Sequence, residues 1–293
     1  MLTAFAPAKI NWSLDILGTR EDGYHLMDML MQTISLHDTL TYTLSDTISL
    51  RFSNSNISLP TNDNNLIIKA AKLLQQQCKV SKGVHITLDK CIPSGAGLGG
   101  GSADAACTLI ALNKLWNLQL PMPTLHAYAL QLGADVPFLL EGGLGRVLGI
   151  GEQITPLFPA PLYHLVILQP CDGLSTQEVF KAYDKLPAQE TIPMQLVQTA
   201  LLDYDFNQLA TYMHNVLAVV SLAKRPAMAL ALDNLNKQGA CIAIMTGSGS
   251  CVYGVFKNEH AAKNAYEKLS TTYEKCYLTH TINNGITLNS INI

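Results

Sequence analysis

The 293-residue sequence carries little charge and almost no excess of either sign. Its formal net charge is −3, and charged residues make up 14% of the chain against 48% for apolar residues. Without a basic surplus the chain is not expected to bind a nucleic-acid backbone, so any anionic ligand must be held by a local site. The apolar content is ample for one large or two medium cores, which argues against disorder.

The sequence also lacks a paired-cysteine motif and a long apolar run. Its seven cysteines are odd in number, widely spaced and nowhere arranged as Cys-x-x-Cys, so neither a disulfide framework nor a zinc cluster is expected. No apolar stretch approaches the roughly 18 residues of a membrane span, and the first residues do not have the pattern of a secretory signal. These absences favour a cytoplasmic protein that acts on a small molecule and has no membrane partner.

The most informative segment is residues 93–106, which read Pro-Ser-Gly-Ala-Gly-Leu-Gly-Gly-Gly-Ser-Ala-Asp-Ala-Ala. Five glycines lie in a loop that leads into an alanine-rich helix. Glycines leave backbone N–H groups unobstructed and allow positive φ, and the start of a helix adds the positive end of its dipole. The segment therefore predicts a site for the phosphates of a nucleotide.

Two well-known phosphate loops do not match this segment. Residues 95–100 fit the pattern G-x-G-x-x-G, but a dinucleotide-binding fold needs an acidic residue about 20 positions further on, and residues 117–125 contain none. A Walker A loop ends in Gly-Lys-Ser/Thr, whereas Gly101 is followed directly by Ser102. The alternative is a glycine-rich packing turn, which would not need five glycines in seven residues.

Hydrophobic periodicity predicts a mixture of strands and helices. Alternating residues indicate strands at residues 10–16, 40–44, 48–52 and 84–88, with short polar turns around His37-Asp38 and Ser45-Asp46. Residues 10–16 read as a half-buried strand with one polar face, on which Lys9 and Asn11 should point the same way. Helices are predicted after the capping residues 62–65, after the glycine loop, and around 124–132 with an end at Gly133.

Three prolines, at 156, 159 and 161, predict a break in the chain, and the domain boundary is placed between residues 158 and 159. The predicted units are thus 1–158 and 159–293. In the second unit the patterns indicate a strand at 165–168, a helix that starts with the capping box Ser175–Glu178, helices near 205–220 and 224–237, and strands at 242–245 and 252–256. A second glycine turn, Thr246–Ser250, joins the last two strands; it could approach a phosphate or only close a hairpin.

Four further residues are candidates for chemistry. Asp135, between Gly133 and Pro137, is the best candidate for a general base, and the alternative is an ordinary turn aspartate. Lys9 could neutralise a phosphoryl group or pair with a carboxylate, and the alternative is an exposed strand lysine. Tyr24-His25 could stack on a base or lie in a surface turn.

Taken together, the segments at residues 7–11, 22–25, 93–106, 133–138 and 246–250 resemble, in order and spacing, those of the GHMP small-molecule kinases. The resemblance covers nearly the whole chain. It implies an α+β fold of two domains, a mixed-sheet N-terminal domain and a ferredoxin-like C-terminal domain, with the active site between them. The Lys-x-Asn and Gly-Tyr-His blocks are similar to those of members that phosphorylate a cytidine-diphosphate-linked methylerythritol.

The resemblance also implies roles for individual residues. Asp135 would be the catalytic base and Lys9 its charged partner, while Mg²⁺ would accompany ATP with no ligands assigned. ATP would contact Asn65, Leu66, Lys90, Pro93, Ser94, Gly95, Ala96, Gly97, Leu98, Gly99, Gly100, Gly101, Ser102 and Ala103. The substrate would contact Asn11, Tyr24, His25, Thr176 and Phe180. We expect a monomer or a weak homodimer.

Two alternatives stay open at this point. The chain could be a GHMP kinase that acts on homoserine, mevalonate or a sugar, which would share the loop but not the cytosine site. It could also be a nucleotide-binding module that has kept the loop without catalysis.

Overall fold

The structure is a computed structural model that describes residues 1–54, 59–187 and 189–290. Its elements in the first part of the chain are β1 (Leu2–Thr19), β2 (His25–Ser45), β3 (Ile48–Phe52), α1 (Leu66–Gln77), β4 (Gly83–Asp89), α2 (Gly100–Leu115), α3 (Met122–Leu132), α4 (Val136–Glu141), β5 (Leu144–Gly149) and β6 (Gln153–Leu157). The second part contains β7 (His164–Leu168), α5 (Thr176–Tyr183), α6 (Met194–Leu202), α7 (Phe206–Tyr212), α8 (Ala218–Lys224), α9 (Pro226–Lys237), β8 (Ile242–Met245), β9 (Val252–Phe256), α10 (Glu259–Leu269), β10 (Cys276–His280) and β11 (Thr287–Ser290).

The first sheet is mixed, as expected. Its main path runs β11-β1-β2-β4-β3, and β5 joins it by pairing with β2 and with β6. The β3–β4 pair is parallel and the other pairs are antiparallel. Helix α2 packs against β1, β2, α1, α3 and α4, so the helix that follows the glycine loop lies at the centre of this core.

The second sheet has the strand order β10-β7-β9-β8, and all its pairs are antiparallel. Numbered within the sheet, this order is 4-1-3-2. Helix α10 connects the third and fourth of these strands, and helices α5 to α9 fill the connection between the first and second. This is a ferredoxin-like arrangement with an enlarged first crossover, so the predicted α+β fold class is confirmed.

The helix boundaries follow from local capping. The Asn65 side chain accepts a hydrogen bond from the N–H of Ile67 at 2.9 Å and starts α1, as the sequence predicts. Ser175 Oγ accepts from the N–H of Glu178 at 3.4 Å at the start of α5. Gly133 ends α3. Gly100 and Gly101 already belong to α2, so the loop proper is residues 93–99.

The predicted turn at His37-Asp38 is wrong, because β2 runs unbroken through it. Asp38 is fully buried, and its carboxylate accepts hydrogen bonds from the N–H groups of Cys91 and Ile92 and from the ammonium of Lys90. A buried aspartate with three donors is stable inside a strand. The predicted turn at Ser45-Asp46 is present, between β2 and β3.

The polar face predicted for residues 10–16 is also buried, because the second part of the chain covers it. Ser13 and Asp15 are almost completely inaccessible. Ser13 Oγ accepts from the N–H of His214 at 3.1 Å, and Asp15 Oδ2 accepts from the N–H of Ile192 at 2.9 Å. The alternation correctly predicted a strand with two chemically different faces, but it did not predict that the polar face is buried.

The single helix predicted near 205–220 is wrong; α7 and α8 are separated by residues 213–217. In this interruption the Asn215 side chain donates to the carbonyls of Met245 and Gly247, at 3.1 and 2.8 Å, and the backbone on either side bonds to Leu14. These long-range hydrogen bonds outweigh the helical periodicity of the segment. The helix predicted at 224–237 is present as α9.

The chain passes from the first sheet to the second between β6 and β7, and β11 returns to the first sheet beside β1. The boundary between residues 158 and 159 stays a prediction. Within the described ranges, no helix has both the length and the apolar character to cross a bilayer.

Candidate active site

A cavity of about 490 Å³ opens where the glycine loop meets the second glycine turn, a size typical of small-molecule sites. Predicted site residues that line it are Lys9, Asn11, Asn65, Leu66, Lys90, Pro93, Ser94, Gly95, Ala96, Gly97, Gly99, Gly100, Gly101, Ser102, Asp135, Thr176 and Phe180. Four others are not in its wall: Leu98 and Ala103 are buried in the cores, while Tyr24 is exposed and His25 packs on Phe180. The structure thus brings most of the predicted site to one place.

The glycine loop is held on both sides by backbone groups. The carbonyl of Leu98 accepts from the N–H of Lys9 at 3.0 Å, and the carbonyl of Ala96 accepts from the N–H of Cys251 at 3.0 Å. Thr246 Oγ1 donates to the carbonyl of Gly97 at 3.3 Å. The loop is therefore fixed between β1 and the second glycine turn, and that turn is part of the site.

Two of the loop glycines are required by their surroundings. Gly97 has φ +79°, and a Cβ there would overlap the carbonyl oxygen of Thr246. Gly99 has φ +70°, and a Cβ would lie 3.1 Å from Cγ of Lys9. An L side chain at either position would be strained and crowded at once.

Helix α2 begins directly behind the loop and points its N-terminus at the cavity wall. Its cap residue is Gly99, and none of the described side chains caps its first N–H groups. Gly100, Gly101 and Ser102 form its first turn and line the cavity. Unpaired N–H groups and the helix dipole make this wall favourable for an anion.

Lys9 and Asp135 form an ion pair at the cavity. Lys9 Nζ lies 3.3 Å from Asp135 Oδ2 and donates to Asn11 Oδ1 at 2.8 Å, which confirms that Lys9 and Asn11 share a strand face. The Lys9 side chain is 4% exposed and that of Asp135 is 31% exposed. Within the described chain, the Asp135 carboxylate caps no N–H of α4, although the residue lies at the start of that helix. The carboxylate is thus oriented by the lysine and open to the cavity.

Asn11 is positioned by contacts from the second sheet. Its backbone N–H donates to Thr246 Oγ1 at 3.0 Å, and its carbonyl accepts from the hydroxyl of Tyr253 at 2.9 Å. These bonds hold the strand that carries Lys9 against the turn that holds the glycine loop.

On the other side of the loop, Asp38, Lys90 and Asp104 form a buried triad. Lys90 Nζ bonds to Asp38 and lies 3.2 Å from Asp104 Oδ2, and the three side chains are at most 7% exposed. Burial by itself lowers the pKa of Lys90, but the charges of Asp104 and Asp38 outweigh it, so the pKa of Lys90 is raised. Its ammonium is therefore held by carboxyl groups beneath the loop.

Asp104 differs from Asp38 in its hydrogen bonds. Among the described residues its Oδ1 is buried with no hydrogen-bond partner. Burial raises the pKa of the Asp104 carboxyl well above its usual range; the Lys90 ammonium opposes the rise and the Asp38 charge adds to it. Asp38 accepts from three donors, whereas Asp104 takes up a proton far more readily than an exposed aspartate.

At the far end of the cavity, α5 contributes Thr176 and Phe180. Thr176 Oγ1 is 3.0 Å from Ser248 Oγ, so the second glycine turn also contacts this helix. The rings of His25 and Phe180 are stacked, with centroids 4.7 Å apart and planes at 29°. His25 Nε2 lies 2.6 Å from Asp184 Oδ1.

Sequence reasoning missed Asp38, Asp104 and Asp184. Asp38 has the appearance of a turn residue, and Asp184 follows a short helix with nothing to connect it to His25, 159 positions away. Asp104 stands inside the glycine segment in Gly-Ser-Ala-Asp-Ala-Ala, where an acid among alanines in a buried helix is a detectable signal.

The comparisons with known proteins agree with this geometry. The family model for the GHMP kinases N terminal domain matches residues 65–143, and the model for the GHMP kinases C terminal matches residues 198–275. The chain belongs to the GHMP kinases, as the resemblance implied, and is an ATP-dependent small-molecule kinase.

Its relatives include two curated proteins named 4-diphosphocytidyl-2-C-methyl-D-erythritol kinase. The one from Alkaliphilus metalliredigens is 39% identical, with 92% of this chain and 93% of the relative covered. The one from Clostridium perfringens strain ATCC 13124 is 38% identical, with 96% and 98% covered. A crystal structure of 4-(cytidine 5'-diphospho)-2C-methyl-D-erythritol kinase has a TM-score of 0.81 and 31% identity over 95% of this chain and 98% of that one.

Kinases with other substrates share the fold at lower identity. A homoserine kinase from Cytophaga hutchinsonii has a TM-score of 0.72 at 19% identity over 98% of this chain and 97% of its own. At this level the likeness concerns the fold alone.

Proposed function

We propose that this kinase transfers the γ-phosphoryl group of ATP to the 2-hydroxyl of 4-diphosphocytidyl-2-C-methyl-D-erythritol, giving the 2-phosphate and ADP. The reaction belongs to non-mevalonate isoprenoid precursor biosynthesis. Relatives that carry the name of this kinase at 38–39% identity support the substrate. The observation that carries the mechanism is the Lys9–Asp135 pair, which opens onto the cavity beside the glycine loop.

In the transfer, the acceptor oxygen bonds to the γ-phosphorus while the bond from that phosphorus to the β–γ bridging oxygen breaks, and Asp135 accepts the hydroxyl proton. Lys9 holds the Asp135 carboxylate in place and supplies positive charge near the transferred group. Because carboxylates are weak bases at neutral pH, the proton leaves late, once the oxygen is bonding to phosphorus. Positioning and electrostatics then carry the catalysis.

The ATP phosphates would lie along residues 93–99 and the first turn of α2, whose N–H groups suit them. Asn65 and Leu66, at the start of α1, would lie near adenine. Lys90 would form part of the pocket wall, since its ammonium is engaged by Asp38 and Asp104.

Magnesium is implied by the reaction, and the donors in the cavity fit it as a companion of the nucleotide. Mg²⁺ in kinases takes one or two protein oxygens together with phosphate oxygens and waters. The Asp135 carboxylate and the Ser102 hydroxyl line the cavity, whereas no group of three or more His, Cys, Asp or Glu side chains in the described ranges could hold a metal. When bound, the ion would neutralise charge on the phosphates.

At the other end, Asn11 and Thr176 would contact the polar part of the substrate. His25, Tyr24 and Phe180 would surround the cytosine, for which aromatic rings are well suited. The exposed Tyr24 ring is available for such stacking.

The test is a ³¹P NMR assay of the purified protein with ATP, magnesium and a panel of alcohols. The panel contains the proposed substrate, homoserine, mevalonate and a hexose. We expect a new phosphate monoester signal and ADP only with the diphosphocytidyl methylerythritol, and none with the Asp135→Asn variant. Phosphorylation of homoserine or mevalonate instead would overturn the substrate, and no ADP release with any alcohol would favour a nucleotide-binding module.

A cytoplasmic location and a monomeric or weakly dimeric state are part of the same proposal. Light scattering at increasing protein concentration checks the second of these.

A further inference from the structure

His25 is held by a carboxylate that the proposed reaction does not use. His25 lies at the start of β2, and Asp184 is the residue that ends α5. Their Nε2 and Oδ1 atoms are 2.6 Å apart, within hydrogen-bond distance. The His25 side chain is 12% exposed and that of Asp184 is 48% exposed, so the histidine is the inner partner.

The same imidazole ring is fixed on its face. It stacks on Phe180, one helical turn before Asp184 on α5, and Phe180 lines the cavity. One element therefore sets both the plane of the His25 ring and the direction of its Nε2. In the described part of the chain, the other ring nitrogen, Nδ1, has no hydrogen-bond partner.

This arrangement dictates the hydrogen-bonding character of the ring. A carboxylate can only accept, so in the neutral form of the imidazole ring the hydrogen must sit on Nε2. The Nδ1 atom then carries a lone pair and is an acceptor. His25 stacks on Phe180, which lines the cavity, so an acceptor on this ring favours a base whose edge presents a donor.

Cytosine and uracil differ in this respect. Cytosine carries an exocyclic amino group at C4, a donor, where uracil carries a carbonyl oxygen. An acceptor nitrogen can bond to the amino group of cytosine, but it would face the lone pairs of the uracil carbonyl oxygen. A ligand that leaves a polar group of the site without a hydrogen-bond partner binds much more weakly than one that pairs with it.

We propose that Asp184 is a positioning residue that fixes the Nε2–H tautomer of His25, so that Nδ1 accepts a hydrogen bond from the 4-amino group of cytosine and the site selects cytosine over uracil. The cytosine ligand rests on the proposed function; the tautomer does not.

Three variants isolate this role. Asp184→Asn keeps the size of the side chain but can offer either an oxygen or an NH₂ group to Nε2, so it no longer dictates the tautomer. Asp184→Glu restores a carboxylate and should rescue the effect. Asp203→Asn is the matched control, because Asp203 ends α6 in the same backbone conformation as Asp184 ends α5 and is likewise exposed.

The first measurement is calorimetric titration of each protein with CDP and with UDP. We expect the wild type and Asp203→Asn to bind CDP more tightly, and the ratio of the two dissociation constants to fall about 10-fold in Asp184→Asn, the size expected for loss of one strong hydrogen bond. With ATP and the proposed substrate, KM for that substrate should rise by a similar factor while kcat and KM for ATP stay unchanged. An unchanged CDP-to-UDP ratio in Asp184→Asn would overturn the proposal.

The second measurement is ¹⁵N NMR of the His25 ring, which reads the tautomer without any substrate. We expect a protonated Nε2 and a bare Nδ1 in the wild type, and a mixture of tautomers in Asp184→Asn. A doubly protonated ring, or the same tautomer in both proteins, would also overturn it. If the wild type shows this tautomer and the CDP preference but does not phosphorylate the diphosphocytidyl methylerythritol, the proposed function fails and the role of Asp184 stands.

Discussion

Two lysines flank the glycine loop, and they are used in opposite ways. Lys9 pairs with Asp135, a carboxylate that is 31% exposed to the cavity. Lys90 lies between Asp38 and Asp104, which are both buried. The lysine that faces an open carboxylate can influence a reacting group, whereas the lysine enclosed by two buried carboxyl groups stabilises the pocket wall to which it belongs.

Within one small region, the residues proposed to take part in the reaction differ from those that hold the site together. The Lys9–Asp135 pair is built from β1 and the start of α4, and both residues line the cavity. The Asp38–Lys90–Asp104 triad joins β2, the end of β4 and α2. It therefore holds together the strands and the helix that flank the glycine loop. Variants of the two groups should therefore affect different quantities.

The largest effect is expected for Asp135→Asn. This variant keeps the shape of the side chain but removes the base, so kcat should fall by about 10³-fold, within the range for general-base catalysis. Binding of ATP, followed by titration with a fluorescent nucleotide, should be largely kept. Asp203→Asn is the control, and kcat near the wild-type value in Asp135→Asn would show that this carboxylate is not the base.

The next effect is a loss of stability in Asp38→Asn. The variant leaves the buried Lys90 ammonium without its charged partner, which should cost about 3–5 kcal/mol of unfolding free energy. Urea denaturation measures this. The control is Asp28→Asn, which breaks the Asp28–Arg146 pair outside the cavity; there the guanidinium is 29% exposed, so water can replace the carboxylate and the loss should be smaller. Equal losses in the two variants would contradict a special role for the triad.

The smallest effect is a change in pH dependence in Asp104→Asn. In the unfolded chain Asp104 ionises at about pH 4. The raised pKa of its carboxyl in the folded protein means that the folded state keeps the proton on Asp104 to higher pH. The stability associated with the protonated Asp104 is thus complete below about pH 4 and decreases as pH rises through the folded pKa.

An asparagine does not titrate, so the unfolding free energy of the wild type relative to Asp104→Asn should fall as pH rises above about 4, and it should stop falling once the folded carboxyl has ionised. Urea denaturation across this range gives the difference. A constant difference would mean that Asp104 ionises as an ordinary exposed aspartate does.

The surroundings of the Lys9–Asp135 pair could be predicted from the sequence better than those of the Asp38–Lys90–Asp104 triad. Alternation places Lys9 and Asn11 on one face, and the glycine loop leads into α2 as expected, because these features depend on neighbouring residues. Asp38 was misplaced in a turn because its three donors come from residues more than 50 positions away. The break at residues 213–217 was missed for the same reason, since Asn215 is held by a turn about 30 positions further on. Local patterns identify faces and caps, but burial and distant partners decide what a polar residue does.

The most direct test of the division between the two lysines is to compare Lys9→Met and Lys90→Met, measuring kcat and the free energy of unfolding for both. Lys9→Met leaves a partly exposed carboxylate unpaired, so kcat should fall by at least about 100-fold with little loss of stability. Lys90→Met leaves two buried carboxyl groups without their cation, so the unfolding free energy should fall by about 3–5 kcal/mol while the folded fraction keeps most of its kcat. Loss of kcat in the folded Lys90→Met protein as large as in Lys9→Met, or equal loss of stability in both, would contradict the account.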